Sequence, residues 1–275
     1  MAGDFDAWIG RSETATDIIT PRQTRQIAAT LDAGVPEGSL PPHWHWMGWQ
    51  PETPMAGHGP DGHPAGGGFL PPVPLERRMW AGGRLTFHAP LPVGAPLRRR
   101  SEILKVSEKT GTTGRMVFVT VGHAVEGPDG LAVTEEQDIV YVAMPDRFTP
   151  PPPQPASEGA TWREPVAMDT VRMFRFSALT FNAHRIRFDL AYAQEVEKYP
   201  GLVVHGPMQA MLLMAAAIRH RGALPASFRF RGVRPLFHSD AMTLTGSPAA
   251  EGKQSLAVVT GEGVMTMQAE IGWTA

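Results

Sequence analysis

Residues 199–220 read YPGLVVHGPMQAMLLMAAAIRH, and this stretch decides the fold. Tyr199, Pro200 and Gly201 make a turn. From Gly206 to about His220, residues Met208, Ala210, Met211, Leu212, Leu213, Met214, Ala215 and Ile218 put apolar side chains on every face of a helix, the signature of a buried one. Its longest uncharged apolar run, Ala210 to Ile218, is nine residues, under half of the roughly 20 that a bilayer-spanning helix needs. The helix is therefore core, and protein must cover it. Downstream, residues 227–233, 241–246, 254–260 and 264–273 carry strand character. Upstream, a strand is expected at 169–176, then the polar stretch SALTFNAHRIRFD (177–189) and a short helix at 190–198. A buried helix between a polar turn and an antiparallel run predicts a sheet wrapped around a helix.

The first half repeats the strand theme at residues 77–87, 97–106, 115–125 and 131–142. The best alternation is RMVFVTVGHAV (115–125), apolar on both faces and thus a central strand. Gly111 and Gly114 before it, and Gly127, Pro128, Asp129 and Gly130 after it, supply hairpin turns. PRQTRQIAATL (21–31) reads as a short helix with Pro in its first turn. Residues 36–74 carry no helix signal, and a loop that long is functional or disordered. The cluster HWHWMGW (43–49) argues against simple disorder. TPPPPQP (149–155) can neither continue a helix nor pair as a central strand, so the chain divides into halves 1–149 and 161–275 around a connector at 150–160. FHAPLPVG (87–94) and RGVRPLFHS (231–239) echo each other between strands, which points to two copies of one unit.

Composition narrows the function. With 25 Lys and Arg against 27 Asp and Glu the net charge is −2, which argues against nucleic-acid binding and a polybasic membrane tether. The absence of cysteine excludes disulfides, thiolate metal sites and a cysteine nucleophile. The start MAGDFDAWIGRSE shows no secretory signal, so a cytoplasmic protein is expected. Twenty-nine Gly and 27 Pro predict many short elements, with strands outnumbering helices.

Two places concentrate chemistry. Residues 180–189, TFNAHRIRFD, gather Asn182, His184, Arg185, Arg187 and Asp189 within one turn. His205, Gly206 and Pro207 start the apolar helix, where unsatisfied backbone N–H groups form a ready oxyanion hole and Gly206 has no side chain to block it. His43, His45, His58 and His63 are dense enough to suggest a metal, but the spacing of metal-binding helices is missing, and they read as loop-packing residues with no metal site.

The stretch FNAHRIRFDLAYAQEVEKYPGLVVHGPM (181–208) resembles the hydratase motif of MaoC-like enoyl-CoA hydratases and dehydratases, whose core runs Gly-Asp-x-Asn-Pro-x-His-x-Asp, then Tyr-Ala, then His-Gly. Within that family it is most similar to the fatty-acid-synthase-type dehydratases and the mesaconyl-CoA and itaconyl-CoA hydratases. DGHPAGGGFLPPVPLERRMWAGGRLTF (61–87) and TEEQDIVYV (134–142) carry the resemblance into the first half. It implies an α+β double hot-dog fold, two antiparallel sheets each wrapped around a central helix. It also implies a lyase that hydrates a 2-enoyl thioester without metal or organic cofactor, coenzyme A entering only as part of the substrate.

Carried over without gaps, the motif's Asp falls on Asn182, its His on Arg187 and its Asn on His184. His184 then becomes the candidate base, Asn182 orients water, and the Gly206 N–H holds the thioester oxygen, with His205 and Asp189 beside the substrate. Arg187 suits the free carboxylate of a mesaconyl or itaconyl group, or else an ion pair with Asp189 or Glu195. Arg229, Arg231 and Arg234 suit the phosphates of coenzyme A or else form an ordinary outward basic strand face, and Arg77 and Arg78 are expected to line the acyl pocket or to pack the two halves together. A 3-hydroxyacyl-thioester dehydratase, a thioesterase and a non-catalytic acyl-CoA-binding protein are the alternatives. The expected partners are a small-molecule acyl-CoA and a second copy in a homodimer, with no nucleic acid and no membrane.

Overall fold

The computed structural model describes residues 5–111, 114–156 and 159–274; residues 1–4 of the N-terminal stretch read above and residues 157–158 of the Pro-rich connector lie outside them. In chain order the strands are β1 (Ser12–Ile18), β2 (Arg77–Phe87), β3 (Pro96–Gly111), β4 (Gly114–Gly127) and β5 (Gly130–Val142), then β6 (Trp162–Val166), β7 (Pro225–Gly232), β8 (Met242–Gly246), β9 (Lys253–Thr260) and β10 (Met265–Trp273). The α-helices are α1 (Pro21–Leu31), α2 (Thr170–Leu179), α3 (Leu190–Glu195) and α4 (Gly206–Arg221).

All strands form one ten-stranded sheet in the order β1-β3-β4-β5-β2-β7-β10-β9-β8-β6. Outward from the β2–β7 seam, both directions repeat one order: a first strand, its last hairpin partner, two more meander strands, and the short strand that opens the unit. The expectation of two separate sheets is thus corrected. Gly82 and Gly83 are the reason the halves can fuse. Gly82 faces Arg231 across the antiparallel seam, and a Cβ on it would sit 2.5 Å from the Phe230 carbonyl oxygen. Side chains there would hold β7 away and leave two unpaired edges.

Local chemistry explains the helices. Thr20 and Gln23 close a capping box at the start of α1, with Pro21 in the first turn. The strand expected at residues 169–176 is instead α2. Asp169 caps it by accepting from the Arg172 N–H at 2.8 Å, and Met173, Phe176 and Ser177 are buried on one face while Val171 and Phe174 stay exposed. The apolar residues of that stretch follow the helical period that reading them as alternating overlooks. α4 is buried along most of its length and packs on β7–β10. Gly222, in the left-handed region at φ 68°, ends it. One continuous core runs from Ile19 and Ile27 through Trp44 and Met47 of the 32–76 segment to Met208, Leu213, Val258 and Ile271. In the N-terminal half α1 shares its place with this long segment and packs on α2, so among the described residues only the C-terminal half holds a long, largely buried helix. No described helix is long and apolar enough to cross a membrane.

Candidate active site

The site begins with a turn in the 32–76 segment. In PDGHP (60–64) the Asp61 Oδ1 accepts the His63 backbone N–H at 3.0 Å, an Asx turn in which an aspartate side chain bonds the backbone two residues on. Its other oxygen, Oδ2, meets His63 Nδ1 at 2.8 Å. Gly62, at φ +87°, lets this turn lie flat on the second half, since a Cβ would come within 1.9 Å of the Ala183 carbonyl oxygen. The Arg185 N–H donates to the Asp61 carbonyl at 2.9 Å and Arg185 Nη1 to the Pro60 carbonyl at 3.1 Å, stitching the turn down.

That docking sets His63 against His184, ring centroids 4.0 Å apart. His184 is buried and held from both ends. Its N–H donates to Asn182 Oδ1 at 2.9 Å, and its Nε2 meets Glu197 Oε1 at 3.3 Å. Arg77 Nε donates to the other oxygen of Glu197 at 3.1 Å and a second Arg77 nitrogen donates to the Tyr199 hydroxyl. A chain of groups therefore runs Arg77, Glu197, His184, His63, Asp61, each imidazole facing its own carboxylate.

Electrostatics keep the imidazoles neutral. Burial lowers the pKa of His63 from its ordinary 6.5, and the Arg78 and Arg187 charges push the same way against the raising effect of Asp61. His184 is held far lower by burial, His63 and Arg187. For Asp61, burial opposes ionisation, but the hydrogen bond and charge of His63 prevail and bring its pKa to about 2. An ionised Asp61 fixes the proton on His63 Nδ1 and leaves Nε2 with a free lone pair, the arrangement of a base oriented by a carboxylate.

The start of α4 closes the site. Arg187 Nη1 donates to the carbonyls of Val203 at 2.7 Å and Val204 at 3.1 Å, which clamps the strand entering the helix. His205 Nε2 meets Ser177 Oγ at 2.8 Å and ties the same entry to α2. Gly206 heads the helix, and a Cβ there would meet nothing within 4 Å, so space lies open in front of it.

With this geometry in place, comparison with known proteins is decisive. A family model described as hydroxyacyl-thioester dehydratase type 2 matches residues 43–238. The chain belongs to that family. Being a type 2 hydroxyacyl-thioester dehydratase by family, it is a lyase of the hydratase/dehydratase kind. A mesaconyl-C(4)-CoA hydratase from Chloroflexus aurantiacus is 45% identical over 253 residues, covering 90% of each chain. Among solved structures, a MaoC-like dehydratase from Phytophthora capsici aligns over 99% of this chain and 98% of its own, with a TM-score of 0.73 at 13% identity. A Mycobacterium tuberculosis protein described as a double hotdog fold covers 97% and 96%, with a TM-score of 0.61 at 12% identity. These distant matches place this dehydratase-family chain in the double hot-dog fold.

The structure gathers Asn182, His184, Arg187, His205, Gly206, Arg77 and Arg78 around one centre. Asp189 instead caps α3 and pairs with Arg185 at 2.7 Å, which leaves Arg187 turned inward on the Val203 and Val204 carbonyls. Arg229 and Arg231 lie exposed on β7, alternating with buried Phe228 and Phe230. Asp61, His63 and Glu197 were not singled out from sequence as catalytic candidates. The local Asp-Gly-His spacing does carry a signal, because an Asx turn brings the carboxylate to the imidazole two residues on. Asp61, His63 and His184 also offer three ligand atoms within 4.8 Å of one another, but Arg78 and Arg187, which push protons off these imidazoles, repel a metal cation equally. A larger, mostly apolar groove of about 930 Å³ lies against the far end of α4, lined by Leu212, Ala215 and Ile218, and includes none of the site's histidines.

Proposed function

We propose that this enzyme reversibly hydrates an α,β-unsaturated acyl-CoA, and that its acyl group is a short branched dicarboxylic one of the mesaconyl or itaconyl kind. The observation that carries this is the pair of neutral, carboxylate-backed imidazoles beside the open start of α4. His63 Nε2 takes a proton from water as the water oxygen bonds to the β-carbon and the π electrons move onto the thioester oxygen. The Gly206 N–H receives that developing oxyanion. The imidazolium of His63, stabilised by Asp61, then returns its proton to the α-carbon as the carbonyl reforms, so one water is added and the enzyme is restored. His184, its Nε2 engaged by Glu197 and its protonation strongly disfavoured, offers Nδ1 as an acceptor that orients the attacking water.

The substrate's free carboxylate finds its partner in Arg78. This guanidinium faces both imidazoles and bonds Tyr141, and no carboxylate pairs with it among the described residues. The 45% identity to a mesaconyl-C(4)-CoA hydratase supports the same substrate class. Arg187, which the sequence suggested for this role, instead positions the start of α4. The reaction needs no metal, and a chelator such as EDTA is expected to leave the rate unchanged.

The test is to incubate the purified protein with mesaconyl-CoA, itaconyl-CoA and crotonyl-CoA, following loss of enoyl-thioester absorbance and confirming the hydrated product by mass. Turnover of a dicarboxylic substrate that disappears in His63→Ala and His184→Ala supports the proposal. Release of free CoA, or turnover of crotonyl-CoA alone, would overturn the reaction or the substrate class respectively.

A further inference from the structure

A second cavity, of about 290 Å³, lies mainly in the N-terminal half, reaches Thr180 of the other half, and is lined in part by Trp46, Trp49, Trp80, Arg99, His123 and Glu135, with neither His63 nor His184 among its walls. Its acid is fully satisfied. Glu135 meets His45 Nε2 at 3.1 Å and accepts from Trp46 Nε1 at 3.0 Å and Gln137 Nε2 at 2.7 Å. Its base is not. Among the described residues no carboxylate lies within ion-pair distance of Arg99, although Glu13, Glu135 and Asp17 attract it from further off, and its buried Nε has no partner. The guanidinium rests over the Trp49 ring, 5.0 Å from the centroid.

The wall that carries this cation is built rather than incidental. Trp49 sits in the left-handed region at φ 52°, a backbone state that persists for a bulky residue only when its surroundings over-determine it. Here the Trp49 N–H donates to Asp17 Oδ2 at 2.6 Å and its Nε1 to the Ala15 carbonyl at 3.1 Å. His123 meets Ser101 Oγ through Nδ1 at 2.9 Å and borders the same space. The result is a small aromatic chamber holding one cation whose Nε is unbonded and whose acidic neighbours stand beyond ion-pair distance.

We propose that this chamber binds a small planar carboxylate, with Arg99 as its counter-ion and the indoles of Trp46 and Trp49 as its walls. A guanidinium presents paired N–H donors that match a carboxylate's two oxygens. The fixed negative charge of Glu135 disfavours a doubly charged phosphate, and the volume limits the ligand to a small molecule. The carboxylate is that of a free acid, since the substrate's acyl carboxylate pairs with Arg78 in the proposed reaction and none of Arg78, His63 and His184 lines this chamber.

Because Trp46, Trp49 and Trp80 border the chamber, occupancy is read directly from tryptophan emission. Benzoate is the probe and benzamide its uncharged match. Benzoate is expected to change the emission saturably and benzamide not to, with affinity falling by about tenfold or more in Arg99→Gln and unchanged in His63→Ala. Arg99→Lys, which keeps the charge and loses the fork, is expected to fall between, and serves if Arg99→Gln does not fold. Steady-state kinetics with dicarboxylic and monocarboxylic enoyl-CoA substrates check that the chamber is separate from the acyl site. An unchanged KM for both substrates in the Arg99 variant is expected, and a KM rise confined to the dicarboxylic substrate would overturn the free-acid assignment. Equal responses to benzoate and benzamide, no saturable response to benzoate, or undiminished benzoate affinity in both Arg99 variants would overturn the proposal, whatever the enzyme's activity proves to be.

Discussion

As the proposed base, His63 acts only while neutral, so its protonation is expected to set the acid limb of the reaction. Burial and the neighbouring guanidiniums lower the His63 pKa, so that limb is expected below pH 6.5, with activity falling as pH drops through the lowered pKa. Asp61 stays ionised down to about 2 and does not limit the rate in this range. Asp61→Asn removes the hydrogen bond and charge that raise the His63 pKa, so the limb in kcat/KM is expected to move to still lower pH. The plateau rate is expected to fall roughly 100-fold or more; a merely structural Asp61 would lower the rate without moving the limb. Gly206→Ala tests the oxyanion position from the other side. A methyl group there meets no neighbour and suits the helix, so the melting temperature is expected to hold or rise. Turnover is expected to fall about tenfold or more as the approach to the helix start fills. Retained turnover would place the thioester oxygen elsewhere.

At the scale of elements, the site depends on how a turn of one half meets a turn of the other. The PDGHP turn adds little to the core, yet it delivers Asp61 and His63, and Gly62 is its contact surface. Gly62→Ala forces a Cβ against the Ala183 carbonyl oxygen and strains a φ of +87°, so activity is expected to drop about 100-fold or more by displacing the base. The thermal transition is expected to move far less, because the turn contributes few buried apolar contacts. A variant that unfolds as readily as a core truncation would show that this turn belongs to the folding unit. The start of α1 was readable because Pro21 in a first turn is a local signal, whereas α3 ends at Glu195, short of the expected 198. α2 was misread because residues 169–176 alternate for a few positions, while the helical burial of Met173 and Phe176 depends on α1, His205 and the core around them.

For the molecule as a whole, both halves share one core, and besides His63 and His184 three more imidazoles are held neutral. Burial lowers the pKa of His43 and His205 well below 6.5 and that of His123 to about 4. The unfolded chain binds protons near pH 6.5, where the folded chain does not. Stability is therefore full above that value and declines as pH falls, through the 6.5 to 4 window for His123 and beyond it for the other two. Melting temperature is expected to decrease from pH 7 to pH 5, and a flat profile would contradict this. His43 stacks on Trp46 at 4.2 Å with both ring nitrogens buried and unpartnered, so His43→Phe is expected to retain the stack and shallow the decline. The sequence by itself determined the meander strands, the apolar α4, the turns between them and the cluster at 182–206, because periodicity, turn chemistry and composition act over a few neighbouring residues. Only the tertiary structure decided that the halves fuse into one sheet through Gly82 and Gly83, that Arg187 turns inward to brace α4, and that His63 meets His184. Those contacts join residues far apart in the chain, where no period or spacing records which surfaces will meet.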